Sequence, residues 1–469
     1  MDNVSARSIQ LWLLAAAVLG SLIAAWIHIR STAIWYDEAI TLMVTSGHAF
    51  FDPSLGSHQF QPTTNLLEIL RQLFRHDVHP PLYFWTLAIW RLIFGQSLEV
   101  ARALSALFTV ATLVWLYRYA EKLGARWPGV PPVIYAFSAV GLRYAYNARP
   151  YAMATFLIVL TLLLAEKKSK WAGVAAAACV ATHYFAALCV GPIIAIEFLR
   201  SFKTDRRWAC WTAASFAALC SPLTILLAQH LGARPDQYRG FAGFRKELGA
   251  LLRGSLQAAT SYSFHWSPWR YIAMLVVAGF ALSGALWAIN RKLWIVPLGF
   301  ASFLLGFLLI AEMTHKSIVK MPYDYYLGIA APLLVLLIWL GAQSFPPASA
   351  LLAAALIFSA FTSTPIMALR DYRQMLAEIR PNCDHCAILV GYGWGGAVAG
   401  CVLYEAQGLD VYLLNVGDTV EQVDARIGPG RVIYLIPSTD PPTTPLEEAF
   451  ARKHAAVSEN GFFRISPAH

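Results

Sequence analysis

Charge is scarce in this sequence. Only 13% of its 469 residues are Asp, Glu, Lys or Arg, about half the roughly 25% usual in a soluble domain. By contrast 58% are hydrophobic, and the mean hydropathy is +0.52. A soluble globular enzyme is thereby excluded. Cysteine is sparse as well: seven in the whole chain rule out a disulfide scaffold. Cys179, Cys189, Cys210 and Cys220 fall in apolar runs, where thiols pack as small hydrophobes. G-x-G-x-x-G, P-loop and nucleophile-elbow signatures are read as missing, so no nucleotide is expected. Paired internal repeats, which often mark a transporter, are also missing.

What is present is a succession of apolar stretches at 12–29, 152–165, 171–199, 270–289, 293–311 and 325–342, each near the about 20 residues that cross a bilayer. The basic clusters at 122–126, 167–170, 200–207 and 291–292 read as cytoplasmic loops, on the side of the N-terminus. Residues 30–100, 143–149, 183–186, 230–268, 313–323 and everything after 369 are then outside. Segment 81–95 would invert every later loop if it spanned; it is short, carries Arg91 and opens after Pro80-Pro81, so it reads as an interfacial or re-entrant helix.

The spacing thus predicts spans near 10–29, 103–120, 128–146, 151–165, 171–185, 186–199, 208–229, 270–289, 293–312, 324–342 and 348–369. The expected fold class is membrane all-α, with about eleven transmembrane helices, interfacial helices in the first outer loop, and a small C-terminal α/β domain. Two domains follow, 1–369 in the membrane and 370–469 outside it. Leu66, Ile69, Leu70, Leu73 and Phe74 share one face of an amphipathic helix on the outer surface. In the C-terminal segment a helix is expected at 371–380, strands at 387–391, 411–414 and 432–436, and a helix at 394–407. Lys and Arg outnumber Asp and Glu 28 to 15 over residues 1–369, whereas the ratio is 8 to 12 over 370–469.

Ionisable groups at a membrane are costly and therefore informative. Trp35-Tyr36-Asp37-Glu38 puts two carboxylates just after the first span, either as a general base or as a helix cap. His76, Asp77 and His79 precede Pro80-Pro81, as a divalent-cation or phosphate site or as helix-start punctuation. Arg143 and Arg149, beside Asn147 and Pro150, suit a bidentate grip on a phosphate, or snorkel to lipid headgroups. Arg102, His183-Tyr184, and Lys316 and Lys320 before Tyr323-Asp324-Tyr325-Tyr326 could face the same cavity, His183 otherwise being a packing residue. Cys383-x-x-Cys386 reads most simply as a disulfide in an oxidising compartment, ahead of zinc or redox chemistry.

In this order the motifs resemble the membrane glycosyltransferases of the C superfamily, and within it the bacterial branch related to protein O-mannosyltransferases, aminoarabinose transferase and Rgt-type transferases. The residues that carry the resemblance are Tyr36-Asp37-Glu38, His79-Pro80-Pro81-Leu82-Tyr83, Arg102 with Ser105, Arg149-Pro150-Tyr151 and Thr182-His183-Tyr184. The resemblance implies inverting transfer of a hexosyl or pentosyl group from a polyprenyl-phosphate donor to a glycan, lipid or protein, at the outer face of the cytoplasmic (inner) membrane. On this analogy Asp37, with Glu38 beside it, is catalytic. Arg149, Lys320, His183 and Tyr184 bind the donor phosphate, and Asp77, His79, Arg102 and Tyr151 line the substrate site. Metal use varies across the superfamily, so a divalent metal on Asp77 and His79 stays open. Membrane lipids are the other expected partner and nucleic acid is not one. The competing reading is a transporter or flippase of a lipid-linked glycan.

Overall fold

The computed structural model describes residues 3–48, 60–77, 79–124, 126–233, 239–240, 243–259, 269–314, 316–317, 326–343, 354, 371–391, 397–406, 408–414, 417–437, 445–459 and 462–466. They divide into two compact units, one of Met1–Ile29, Asp77–Tyr83 and Arg102–Ile366, the other of Arg30–His76, Phe84–Ala101 and Met367–His469.

The first unit is helical. With helices numbered in chain order, it holds most of α1 (Asn3–Ser31) and α5 (Leu98–Lys122), then α6 (Val130–Ala136), α7 (Ala139–Ala145), α8 (Tyr151–Glu166), α9 (Ala172–Thr182) and α10 (Ala187–Ser201). It continues with α11 (Arg206–Ala233), α12 (Phe244–Ala259), α13 (Trp269–Asn290), α14 (Ile295–Thr314) and α15 (Ala331–Ala342). Two residues each from β1 (Arg239–Gly240) and β2 (Lys316–Ser317) pair antiparallel. Among the described residues, Arg7–Ser31, Leu98–Lys122, Tyr184–Ser201, Arg206–Gln229 and Ile295–Met313 are long and apolar enough to cross a membrane. Shorter apolar helices occupy Leu82–Phe94, Tyr151–Glu166, Ala172–Thr182, Met274–Asn290 and Leu327–Ala342. The span expected at 348–369 lies outside the described residues, apart from 354.

Segment 128–146, expected as one span, is two helices. Ser138 is extended, its hydroxyl donating to Tyr135 O (2.8 Å) and accepting from Gly141 N (3.1 Å), so it ends α6 and caps α7. Gly141 is required there, because a Cβ would lie 1.8 Å from Tyr135 O. The 171–199 run also breaks, at His183, whose extended backbone (φ −156°, ψ 122°) separates α9 from α10.

Helix α15 is apolar on every side and buried along its whole length, as a helix at the centre of a bundle must be. Its closest neighbour is α13. The two backbones touch through glycine: a Cβ on Gly284 would lie 1.8 Å from Leu337 O, and one on Gly341 1.9 Å from Phe280 O. Small residues permit this approach. Gly284→Leu and Gly341→Leu are each expected to destabilise the protein by about 3 kcal/mol or more, the upper end of overpacking costs, read as a large drop in Tm in detergent. An unchanged Tm in both would contradict this crossing.

The second unit contains α2 (Tyr36–Thr45), α3 (Leu66–His76), most of α4 (Leu82–Phe94), and α16 (Tyr372–Ile379), α17 (Ala397–Glu405), α18 (Val420–Ile427) and α19 (Pro445–Lys453). Its sheet comprises β3 (Ala387–Gly391), β4 (Asp410–Leu414), β5 (Ile433–Ile436), β6 (Val457–Glu459) and β7 (Phe462–Ile465), in the order β4-β3-β5-β7-β6. Strands β4, β3 and β5 run parallel, with Ala387 opposite Asp410 and Ile433; β7 and β6 add antiparallel. The central β3 and β5 are buried at every position, as parallel strands covered on both faces are. Leu389, Leu414, Val423, Ile427, Leu435 and Phe450 share one core, and α17 packs against β3.

Arg91, the charge that argued against a span at 81–95, is fully buried in the same unit. It donates to Leu42 O (3.2 Å), Thr45 Oγ1 (2.7 Å), Phe60 O and Gln96 O (3.1 Å), tying the end of α2 to the end of α4.

Candidate active site

Within the first unit the structure brings together Asp77, His79, Arg149, Tyr151 and His183. The segment before α8 is a loop because Pro150 cannot continue a helix backwards. Ser105 Oγ fastens that loop by donating to Asn147 O (2.6 Å), and Arg149 N donates to Asn147 O (2.7 Å). Arg149 is thereby turned inward and is only 3% exposed.

His79 lies between an acid and a cation. Its Nδ1 is 2.6 Å from Asp77 Oδ1, and its Nε2 is 3.0 Å from Arg149 Nη2. A guanidinium has no acceptor atom, so Nε2 must accept. The ring proton therefore sits on Nδ1 and is donated to Asp77. The carboxylate fixes the tautomer, and the tautomer fixes the guanidinium. Both ring nitrogens are committed, so a divalent ion on Asp77 and His79 would have to break one of these bonds and sit beside a fixed positive charge.

His183 is 3% exposed, and its ring stands edge-on to His79 at 5.6 Å. Tyr151, Phe185 and Tyr326 surround it at 5.5, 5.5 and 5.7 Å. Nδ1 of His183 accepts from Phe185 N at 3.3 Å, which leaves the proton on Nε2. That buried Nε2 has no hydrogen-bond partner among the described residues. An orphaned buried donor is costly, and here it adjoins a histidine already held by arginine. His183→Phe keeps the ring packing and removes the orphaned donor, but it also removes the acceptor of Phe185 N, so the two changes offset and the stability of the ligand-free protein should stay within about 1 kcal/mol of wild type. A Tm close to wild type is the expected reading; a large fall would show that Nε2–H has a partner as well.

The remaining residues named from the sequence fall as follows. Tyr151 is buried and stacks on Tyr144 at 5.2 Å. Tyr184 is half-buried, within reach of the Asp77 charge. Arg102 is buried and donates to Ile29 O near the end of α1 (3.0 Å). Arg143 is buried in the last turn of α7. Lys320 lies outside the described residues. Of the surrounding aromatics, Tyr326 was named among the cavity candidates, whereas Tyr144 and Phe185 were missed; their only signal was the density of aromatics flanking the charged motifs. His28, near the C-terminal end of α1, meets Tyr146 with ring centroids 4.8 Å apart and carried no sequence signal.

The acidic motif belongs to the second unit. Glu38 is fully buried, and its carboxylate accepts from Trp35 N at 3.5 Å across the first turn of α2. Asp37 is half-exposed. The first arrangement is a cap.

Cys383 and Cys386 form a disulfide. Among the described residues no group of three or more His, Cys, Asp or Glu comes together to hold a metal. The expectation of no nucleotide rested on missing phosphate-binding signatures, but one such spacing does exist. Gly391, Gly393 and Gly396 follow the G-x-G-x-x-G pattern, between β3 and α17. Residues 392–396 lie outside the described set, and β4 ends at Leu414, followed by Asn415-Val416-Gly417 rather than the acid that a dinucleotide fingerprint calls for.

Residues 78–226 match the family model described as dolichyl-phosphate-mannose-protein mannosyltransferase. That stretch contains His79, Arg102, Arg149, Tyr151 and His183. Two solved structures are similar to the chain as a whole. One is ArnT from Cupriavidus metallidurans bound to undecaprenyl phosphate, at 11% identity and a TM-score of 0.46, with 97% of each chain covered. The other is the same protein in the apo state, at 12% identity and a TM-score of 0.43, with 98% of each chain covered. No curated protein matches the sequence.

Proposed function

We propose that this protein is a membrane glycosyltransferase that moves a sugar from a polyprenyl-phosphate-linked donor to an acceptor at the outer face of the cytoplasmic membrane, with inversion at the anomeric carbon. The observation that carries the reading is the buried pairing of Arg149, held by His79 and Asp77, with the orphan Nε2–H of His183. The Nε2–H of His183 has no hydrogen-bond partner among the described residues, and a phosphate beside the Arg149 guanidinium supplies an oxygen for it. The family match over residues 78–226 supports the same donor chemistry.

The reaction places these groups in order. An acceptor hydroxyl attacks the anomeric carbon while Asp37 takes its proton. The bond from that carbon to the phosphate oxygen breaks, and its electron pair leaves with the polyprenyl phosphate. Charge grows on the phosphate in the transition state, and Arg149 and His183 are already oriented to stabilise it. Asp77 and His79 act on the phosphate only through Arg149. Glu38 holds the first turn of α2, and Tyr151 and Tyr326 supply an apolar wall.

The acceptor is a glycan, a lipid or a protein, and the N-terminus is cytoplasmic. The test is a panel of polyprenyl-phosphate sugars offered to the full chain in proteoliposomes. Release of polyprenyl phosphate in step with glycosylated acceptor is expected. Movement of labelled lipid between leaflets with no donor consumed would instead identify a translocator.

A further inference from the structure

The acidic helix α2 is too short to stand alone, since isolated helices need about 12–15 residues even with good helix formers. It is held by packing. Ala39, Leu42, Met43 and Val44 are buried, and α17 lies across them. Gly400 is the point of closest approach: a Cβ there would meet the Cβ of Ala39 at 3.2 Å and the Cε of Met43 at 3.3 Å.

Other contacts within the same unit secure both ends of the segment that bears α2. Arg373, at the start of α16, donates to Arg30 O (3.2 Å) and Ser31 O (3.5 Å), the last carbonyls of α1, and its Nε lies 3.7 Å from Glu405 Oε1 on α17. The Tyr404 hydroxyl, also on α17, accepts from Leu98 N at 2.9 Å, and its ring meets Phe60 edge-on at 5.2 Å. Burial raises the Cys401 thiol pKa, as do the charges of Glu38, Glu405 and Asp37; the acidic pair and α17 share one electrostatic neighbourhood.

We propose that helices α16 and α17 of the C-terminal segment form a clamp that sets the position of Asp37, with Gly400 as the positioning residue. The proposal deepens the reading of Asp37 as general base and rests on it. A general base works only within hydrogen-bond reach of its proton, and a displacement of about 1 Å can cost roughly 10²-fold in rate. A side chain at position 400 larger than hydrogen pushes on Ala39 and Met43, and so on the turn that bears Asp37.

The test compares wild type, Gly400→Leu, Asp37→Asn and the double variant Gly400→Leu/Met43→Ala, all as full-length protein in proteoliposomes. Turnover, the Michaelis constants for donor and acceptor, and binding of polyprenyl phosphate are read for each. The expected result is that Gly400→Leu lowers kcat at least about tenfold while polyprenyl-phosphate affinity stays within about twofold, with the loss in kcat rather than in donor KM. Removing the Met43 side chain in the same chain restores part of the turnover, because it vacates one side of the contact while the Cβ of Ala39 stays. Wild-type turnover in Gly400→Leu would overturn the clamp. So would joint loss of turnover and lipid-phosphate binding without rescue by Met43→Ala, which describes a general folding defect. If Asp37→Asn turns over normally, the base assignment falls and the clamp with it; if Asp37→Asn is dead and Gly400→Leu is normal, the clamp alone falls.

Discussion

Asp37→Asn is expected to lower sugar transfer by about 10²–10⁴-fold, the range for loss of a positioned general base, while binding of the lipid-phosphate donor stays as in wild type. Asparagine keeps the size and the hydrogen-bonding oxygen of the side chain but cannot take a proton. The half-exposed setting of Asp37 suits an acceptor that must enter and leave. Glu38 supplies the control. It is fully buried and bonded within its own turn, so Glu38→Gln, which still offers an oxygen to Trp35 N, should lose far less. Initial rates for the two variants at saturating donor decide the matter. Equal losses would mean that the pair acts as one group; wild-type turnover in Asp37→Asn would remove it from the mechanism.

Arg149→Ala is expected to cost about 10²–10³-fold in turnover, as removal of one preorganised stabiliser of transition-state charge does. The loss exceeds one contact, because His79 Nε2 then has no donor and Asp77 no longer holds anything in place. Arg149→Lys keeps the charge but not the planar fork, so recovery should be partial. His79→Gln separates positioning from charge, leaving the cation but releasing it from the Asp77–His79 strut. A fall in kcat smaller than that of Arg149→Ala is expected, measured on the same donor. If Arg149→Ala and His79→Gln both transfer at the wild-type rate, the cluster is structural.

Much of the local structure was legible. The helix at Leu66–His76 followed from periodicity, because Ile69 and Leu73 face inward and are fully buried. Strands β3, β4 and β5 read as apolar runs bounded by polar or glycine-containing segments. The break at His183 was legible from the length of 171–199, which exceeds one crossing of a bilayer.

What could not be read depends on partners distant in sequence or on short polar elements. Helix α18 has the sequence VEQVDARI, with too few apolar residues to show a period; it stands because Thr419 and Gln422 cap it reciprocally and Val423 and Ile427 enter the sheet core. Strand β6 is exposed at every position, so no alternation marks it. The bond of Arg102 to Ile29 O joins residues 73 apart in sequence, which no local pattern reveals. The same holds for the tautomer of His79, which only the placement of Arg149 reveals, and for the contact between Gly400 and α2.

The central claim is that the Arg149–His183 cluster receives the phosphate of a polyprenyl lipid. Equilibrium binding of polyprenyl phosphate to the purified full chain, followed by native mass spectrometry, tests it most directly. The account predicts one lipid bound per wild-type chain and per Asp37→Asn chain, with at least about tenfold weaker binding to Arg149→Ala, a loss of about 1.4 kcal/mol or more. Equal binding by wild type and Arg149→Ala would contradict it.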